Sequence, residues 1–125
     1  MTRVLVVEDD SNLRNIVRCI LQKAGYEVVE ACNGIEAADK IAEFPVQLVI
    51  TDILMPDREG IETIVGLHRK YPDVKIIAMS GGGKGGADHY LDMAREFGAD
   101  QTMHKPFDKS DLLDAVGDLI GAPSH

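Results

Sequence analysis

The stretch that decides the fold is Arg3-Val4-Leu5-Val6-Val7-Glu8-Asp9-Asp10. Its apolar run is short, mostly β-branched and unbroken, so it suits a strand covered on both faces, as in a parallel sheet. The abrupt change to Glu8-Asp9-Asp10 ends that strand and leaves carboxylates at its carboxyl end. Working outward, Leu13, Ile16, Val17, Ile20, Leu21 and Ala24 recur at the spacing of one face of an amphipathic helix. Ser11 or Asp10 can cap the start of that helix, and Gly25 stops it.

The alternation continues along the chain. Tyr26 to Ala31 reads as a second strand, less apolar and therefore suited to a sheet edge. Asn33-Gly34 is a turn, and Ile35, Ala38, Ile41 and Ala42 mark a second helix ending before Pro45. Val46 to Thr51 is a third strand, and Ile61, Ile64, Leu67, His68 and Tyr71 mark a third helix. Pro72-Asp73 breaks it. Val74 to Met79 is a fourth strand, Ala87 to Phe97 a fourth helix, Asp100 to His104 a weak fifth strand. Leu112, Leu113, Val116, Leu119 and Ile120 mark the last helix. Five strand–helix units predict an α/β fold with a doubly wound parallel sheet and helices on both faces. No linker interrupts them, so residues 1–125 read as one domain.

Composition narrows the function. The 125 residues carry 13 Lys+Arg against 21 Asp+Glu, a formal net charge of −8. That excess argues against a nucleic-acid-binding surface and against docking on anionic lipid, both of which need a basic face. No run approaches a membrane span, and the apolar stretch at the N-terminus is too short for a signal peptide. Cys19 and Cys32 form no metal or redox motif and read as reduced, packing thiols of a cytoplasmic protein.

The polar residues collect at strand ends. The first strand ends in Glu8-Asp9-Asp10, the third in Thr51-Asp52, the fourth in Ser80-Gly81 and the fifth in His104-Lys105-Pro106. In open α/β sheets the ligand crevice lies outside the carboxyl ends of the strands. Clustered carboxylates repel unless a cation neutralises them. An all-oxygen set suits a hard cation such as Mg²⁺. A carboxylate beside such a metal can attack phosphorus and become an aspartyl phosphate. A lysine at the same point supplies a second positive charge, and a serine hydroxyl can donate to a phosphoryl oxygen.

Taken together and in order, Val4-Leu5-Val6-Val7-Glu8-Asp9-Asp10, Asp52-Ile53-Leu54-Met55-Pro56 with Gly60, Met79-Ser80-Gly81 and Lys105-Pro106-Phe107 resemble the response-regulator receiver domain of two-component signalling. The chemotaxis regulator of that family is a standard example of the switch-point rule for this sheet. The resemblance covers essentially the whole chain. It implies a flavodoxin-like sheet of order 2-1-3-4-5 flanked by five helices. Asp52 is then the phosphoacceptor, Asp9 a direct Mg²⁺ ligand, Glu8 a ligand acting through water, and the Leu54 carbonyl the remaining protein ligand. Asp52 contributes to the metal set as well. Ser80 is the hydroxyl that moves toward the phosphoryl group, Lys105 the cation that pairs with it, and the Lys105–Pro106 bond is cis. The implied donor is a sensor histidine kinase or a histidine phosphotransfer protein, and the implied reader a downstream protein target. The chain is not expected to turn over external substrates.

Neighbouring polar residues read as structural. Asp10 is a helix cap, His104 a strand-packing residue, and Gly81-Gly82-Gly83-Lys84-Gly85-Gly86 lacks the order of a phosphate-binding loop and reads as a flexible segment beside the site. The tail Gly121 to His125 is too short for an output domain, which favours a stand-alone receiver over the alternative of a fragment of a larger regulator. Three features depart from the family. Thr102 stands where many receivers have Tyr or Phe, so a ring-based switch is not available and the glycine loop or fourth helix becomes the expected readout. The segment from Ser80 to Gly98 is a few residues longer than usual, and Glu59 precedes Gly60 where Asp is common. Two other functions stay open: a phosphorylation-independent interaction module and a Mg²⁺-dependent phosphatase with an aspartyl phosphate. The phosphatase reading wants a second acid two residues after the nucleophile, where this chain has Leu54.

Overall fold

The computed structural model describes residues 2–53, 59–80 and 87–123. Within them the elements are β1 (Arg3–Val7), α1 (Ser11–Lys23), β2 (Glu27–Ala31), α2 (Gly34–Glu43), β3 (Leu48–Asp52), α3 (Glu59–Lys70), β4 (Lys75–Ser80), α4 (Ala87–Phe97), β5 (Gln101–His104) and α5 (Lys109–Ile120). The strands are all parallel and lie in the order β2-β1-β3-β4-β5, as the resemblance implied. Leu54, Met55, Pro56 and the Gly81–Gly86 stretch lie outside the described residues.

The unbroken apolar run of β1 is explained by its place in the sheet. Val4 and Val6 point to one face, where they pack with Leu48, Ile50, Ile77 and Met79 against Val17 and Leu21 of α1 and Leu112 and Val116 of α5. Leu5 and Val7 point to the other, where they meet Val49, Ile76, Ala37 and Ile41 of α2, Ile64 and Leu67 of α3, and Ala94 of α4. Each buried Val, Leu, Ile or Met among these contributes about 1.5–3 kcal/mol, and two cores flank one sheet. β2, with its partly exposed residues, is an edge strand as its composition predicted.

Local chemistry sets the element ends. Asp10, not Ser11, caps α1: its Oδ1 accepts from the backbone N–H of Asn12 at 2.9 Å and of Leu13 at 3.3 Å. Gly25 follows in the left-handed region (φ 106°), which ends the helix. α5 starts at Lys109, ahead of its first apolar position. Asp108 Oδ1 accepts from the Asp111 N–H at 2.8 Å, and Asp111 Oδ2 accepts from the Asp108 N–H at 3.4 Å, a reciprocal cap. β3 and β4 each begin and end later than the apolar runs suggest. Gln47 is held as a tie rather than a ladder residue, donating to the Arg3 carbonyl at 3.0 Å and accepting from the Lys75 N–H at 3.1 Å.

Two packing expectations are corrected. Cys19 is exposed, because the buried line of α1 runs through Val17 and Leu21 and Cys19 falls on the opposite side. His104 is exposed, being the last residue of an edge strand. Both cysteines are free thiols. No helix among the described residues is long and apolar enough to cross a membrane.

Candidate functional site

Strand register brings the site together. β1 and β3 are adjacent, with Val7 level with Thr51. Glu8 and Asp52 therefore emerge side by side, one residue further on. Asp52 is level with Met79 of β4, and Ser80 is level with His104 of β5. The Lys105 N–H donates to the Ser80 carbonyl at 2.7 Å, fixing the chain just after β5. The Lys105–Pro106 peptide is cis. From that anchor the Lys105 ammonium reaches back across the sheet, donating to Glu8 Oε1 at 2.5 Å and to Asp52 Oδ2 at 2.8 Å.

These charges sit largely out of water. Glu8 is 1% exposed, Asp52 5% and Ser80 0%, while Asp9 faces solvent. One carboxylate oxygen each from Glu8, Asp9 and Asp52 lies within 4.8 Å of the others. Glu8 has both oxygens engaged, Oε1 by Lys105 and Oε2 by the Asp10 N–H at 3.2 Å. Burial still pushes the Glu8 carboxyl up to about 7; its neighbours Asp9 and Asp52 add to that rise and the Lys105 ammonium opposes it. Burial works against the Lys105 ammonium too, but hydrogen bonds to Asp52 and Glu8 outweigh it and hold the group above the usual lysine value. Among the described residues, one ammonium faces these three carboxylates and does not match their charge. The donor set is all oxygen, two of its members are buried, and the third opens to water, which is what a hard divalent cation that keeps part of its hydration shell requires.

The structure thus assembles Glu8, Asp9, Asp52, Ser80 and Lys105 at one end of the sheet. Leu54, the remaining expected ligand, lies outside the described residues. Sequence reasoning passed over Arg14. Its guanidinium donates to the Glu8 carbonyl at 2.7 Å and lies 3.5 Å from Glu30 Oε1 on β2, with Arg18 3.6 Å from Glu30 Oε2. Arg14 thereby ties the first turns of α1 to the acid-bearing end of β1 and to the edge strand. The signal was the pair of arginines four residues apart facing an acid within β2. At Thr102, where the family often has a ring, the side-chain oxygen accepts from Arg95 of α4 at 2.8 Å, a polar link between α4 and β5.

With this geometry in hand, comparisons with known proteins are specific. The family model of the response regulator receiver domain matches residues 4–117. The response regulator receiver protein CpdR of Brucella abortus is 32% identical over 120 residues, covering 96% of this chain and 98% of that one. The chemotaxis protein CheY of Thermotoga maritima is 37% identical over 115 residues, covering 91% and 93%. Among solved structures, the response regulator protein TrrA from Thermotoga maritima in complex with Mg(2+)-BeF superposes with a TM-score of 0.83 at 35% identity, covering 96% of this chain and 100% of that one.

Proposed function

The chain belongs to the response regulator receiver family, and on that premise we propose that Asp52 accepts a phosphoryl group from a phosphohistidine donor, either a histidine kinase or a histidine phosphotransfer protein. The observation that carries this reading is the Lys105 ammonium held 2.8 Å from Asp52 Oδ2 beside three carboxylates whose oxygens lie within 4.8 Å. Receivers are signalling modules of two-component systems, and this geometry supplies what phosphoryl transfer asks of such a module: an acceptor oxygen, a fixed cation and a site for a second one.

In the transfer, an oxygen of Asp52 attacks phosphorus while the P–N bond to the donor imidazole breaks, and the imidazole leaves with the bonding pair. Lys105, already hydrogen-bonded to Asp52, stabilises the charge of the acyl phosphate without reorganising. Ser80, at the end of the neighbouring strand, donates a hydrogen bond from its hydroxyl to a phosphoryl oxygen. The carboxylates of Glu8, Asp9 and Asp52, with the Leu54 carbonyl, would hold Mg²⁺, which when bound offsets charge on the transferring group. Leu54 offers no general acid two residues after the acceptor, so the chain modifies itself rather than turning over external phosphate esters.

The added charge then biases α4 and β5 between two populations, read by a downstream protein partner. The Arg95–Thr102 hydrogen bond spans these two elements and stands where a ring is often found. Residues 1–125 act as one receiver unit, in the cytoplasm, without contact to nucleic acid or membrane.

The test is intact-protein mass after incubation with Mg²⁺ and acetyl phosphate, and with a phosphorylated histidine kinase. The expected result is a gain of one phosphoryl group in the wild type and none in Asp52→Asn. Wild-type protein that gains no mass with any donor overturns the reading, and rapid turnover of simple phosphate monoesters replaces it with the phosphatase.

A further inference from the structure

The flank of the molecule between α2 and α3 carries a patch that the proposed phosphoryl chemistry does not use. A hollow of about 260 Å³ lies between α2 and α3, lined by Gly34, Ile35, Ala38, Thr63, Gly66 and Leu67, with Glu62 at its rim. Ile35 stands at the lip with 75% of its surface exposed, the most exposed large apolar side chain among the described residues. Gly66 forms the bare floor. A Cβ added there would meet nothing within 4 Å, so no contact among the described residues requires glycine at that position. Glycine is nevertheless a poor choice for the interior of a helix. The fold therefore carries a protruding side chain and a costly hole side by side, with neither explained by the described residues around it.

We propose that this patch is a self-association surface, on which two copies of the chain pair across a two-fold axis with their α3 helices antiparallel and crossing at Gly66. A two-fold interface uses the same patch on both subunits, so a knob and a hole must lie next to each other on it, as Ile35 and Gly66 do. Charge specifies the direction. Glu62, Gly66 and Arg69 are spaced i, i+4 and i+7, which places them on one stripe of α3, and all three are exposed. At a rise of 1.5 Å per residue, Glu62 lies about 6 Å to one side of Gly66 and Arg69 about 4.5 Å to the other. Antiparallel crossing at Gly66 sets Glu62 of each copy against Arg69 of its partner within about 1.5 Å along the axis, whereas parallel pairing sets like charges together. The missing side chain at Gly66 lets the two backbones approach, and Ile35 of each copy fills the hollow of the other. The patch is small, so the pairing is a weak one that responds to concentration.

Sedimentation velocity on the full chain, from micromolar to millimolar, reads this directly. The wild type is expected to shift from monomer to dimer across that range. Ile35→Asp and Gly66→Leu, the second of which fills the hole, each raise the dissociation constant at least about tenfold. Glu62→Arg does the same, and Glu62→Arg with Arg69→Glu in one chain restores the wild-type value, which a merely structural role would not produce. Gly66→Leu keeps a helical circular dichroism spectrum and does not lower the melting temperature, so its loss of pairing is not unfolding. A wild type that stays monomeric at millimolar concentration overturns the proposal, as does a dimer indifferent to Ile35→Asp and Gly66→Leu. Because none of these residues touches Asp52, phosphorylation by acetyl phosphate is retained in all four variants.

Discussion

The two ends of the sheet hold similar ions in different surroundings. At the amino end, Arg3 pairs with Glu27 at 3.0 Å, donates to the Pro45 carbonyl at 3.1 Å and lies 5.6 Å from the Phe44 ring centroid. Both charged side chains keep water, at 23% and 38% exposure. At the carboxyl end, Lys105 pairs with a Glu8 side chain that is 1% exposed, and a second acid shares the same ammonium. An exposed pair gains little because water already solvated both partners. A buried set with more acids than cations among the described residues is held under electrostatic load, and that load suits the metal and phosphoryl group proposed for it. The same chemical types thus fasten one end and arm the other.

Three measurements break or sharpen that contrast. The largest effect belongs to Lys105→Met, which removes the cation that, among the described residues, pairs with two buried carboxylates. In metal-free solution at pH 8 it is expected to cost about 3 kcal/mol in urea unfolding, with much of the loss recovered on adding Mg²⁺. A cost below that of an exposed pair erases the distinction between the two ends. The second effect is a pH dependence. The Glu8 carboxyl titrates at about 7 in the folded chain against an ordinary 4.5. A raised carboxyl favours the protonated folded form, so its contribution is complete below 4.5 and is lost as pH rises through 7. The difference in stability between wild type and Glu8→Gln should therefore grow against the wild type from pH 5 to pH 8 in metal-free buffer. Parallel curves across that range show that Glu8 titrates normally. The smallest effect is Arg3→Gln at the amino end, expected below about 1 kcal/mol and shrinking further in high salt. A loss as large as that of Lys105→Met shows the amino-end network to be a structural clamp.

Much of the site was legible because strand ends are local. A β-branched run followed at once by acids needs no tertiary knowledge to place its carboxylates, and the parallel order of strands then fixes which ends meet. Glu8, Asp9, Asp52, Ser80 and Lys105 were found in that way. Arg14 was not, because the direction of a polar residue on a helix is decided by which strand the helix covers, here β1 and β2. Gly66 was equally silent, since a glycine in a helical pattern shows its use only when the space around it is known. Cys19 and His104 were misplaced for a related reason: residue type argued for burial, while the rotation of α1 and the edge position of β5 argued for solvent.

The reach of Lys105 has one more consequence, in time rather than in space. Its contacts to Glu8 and Asp52 join residues 97 and 53 positions apart. Such distant closures form after local ones, since the chain between them must first be ordered. Synthesis runs from the N-terminus, so the acids of β1 emerge long before the lysine that balances them. A nascent or partly folded chain consequently has the carboxylates but not the ammonium that pairs with them. On the proposed function, competence to receive a phosphoryl group arrives only once Lys105 is in place, and the molecule stays deaf until then.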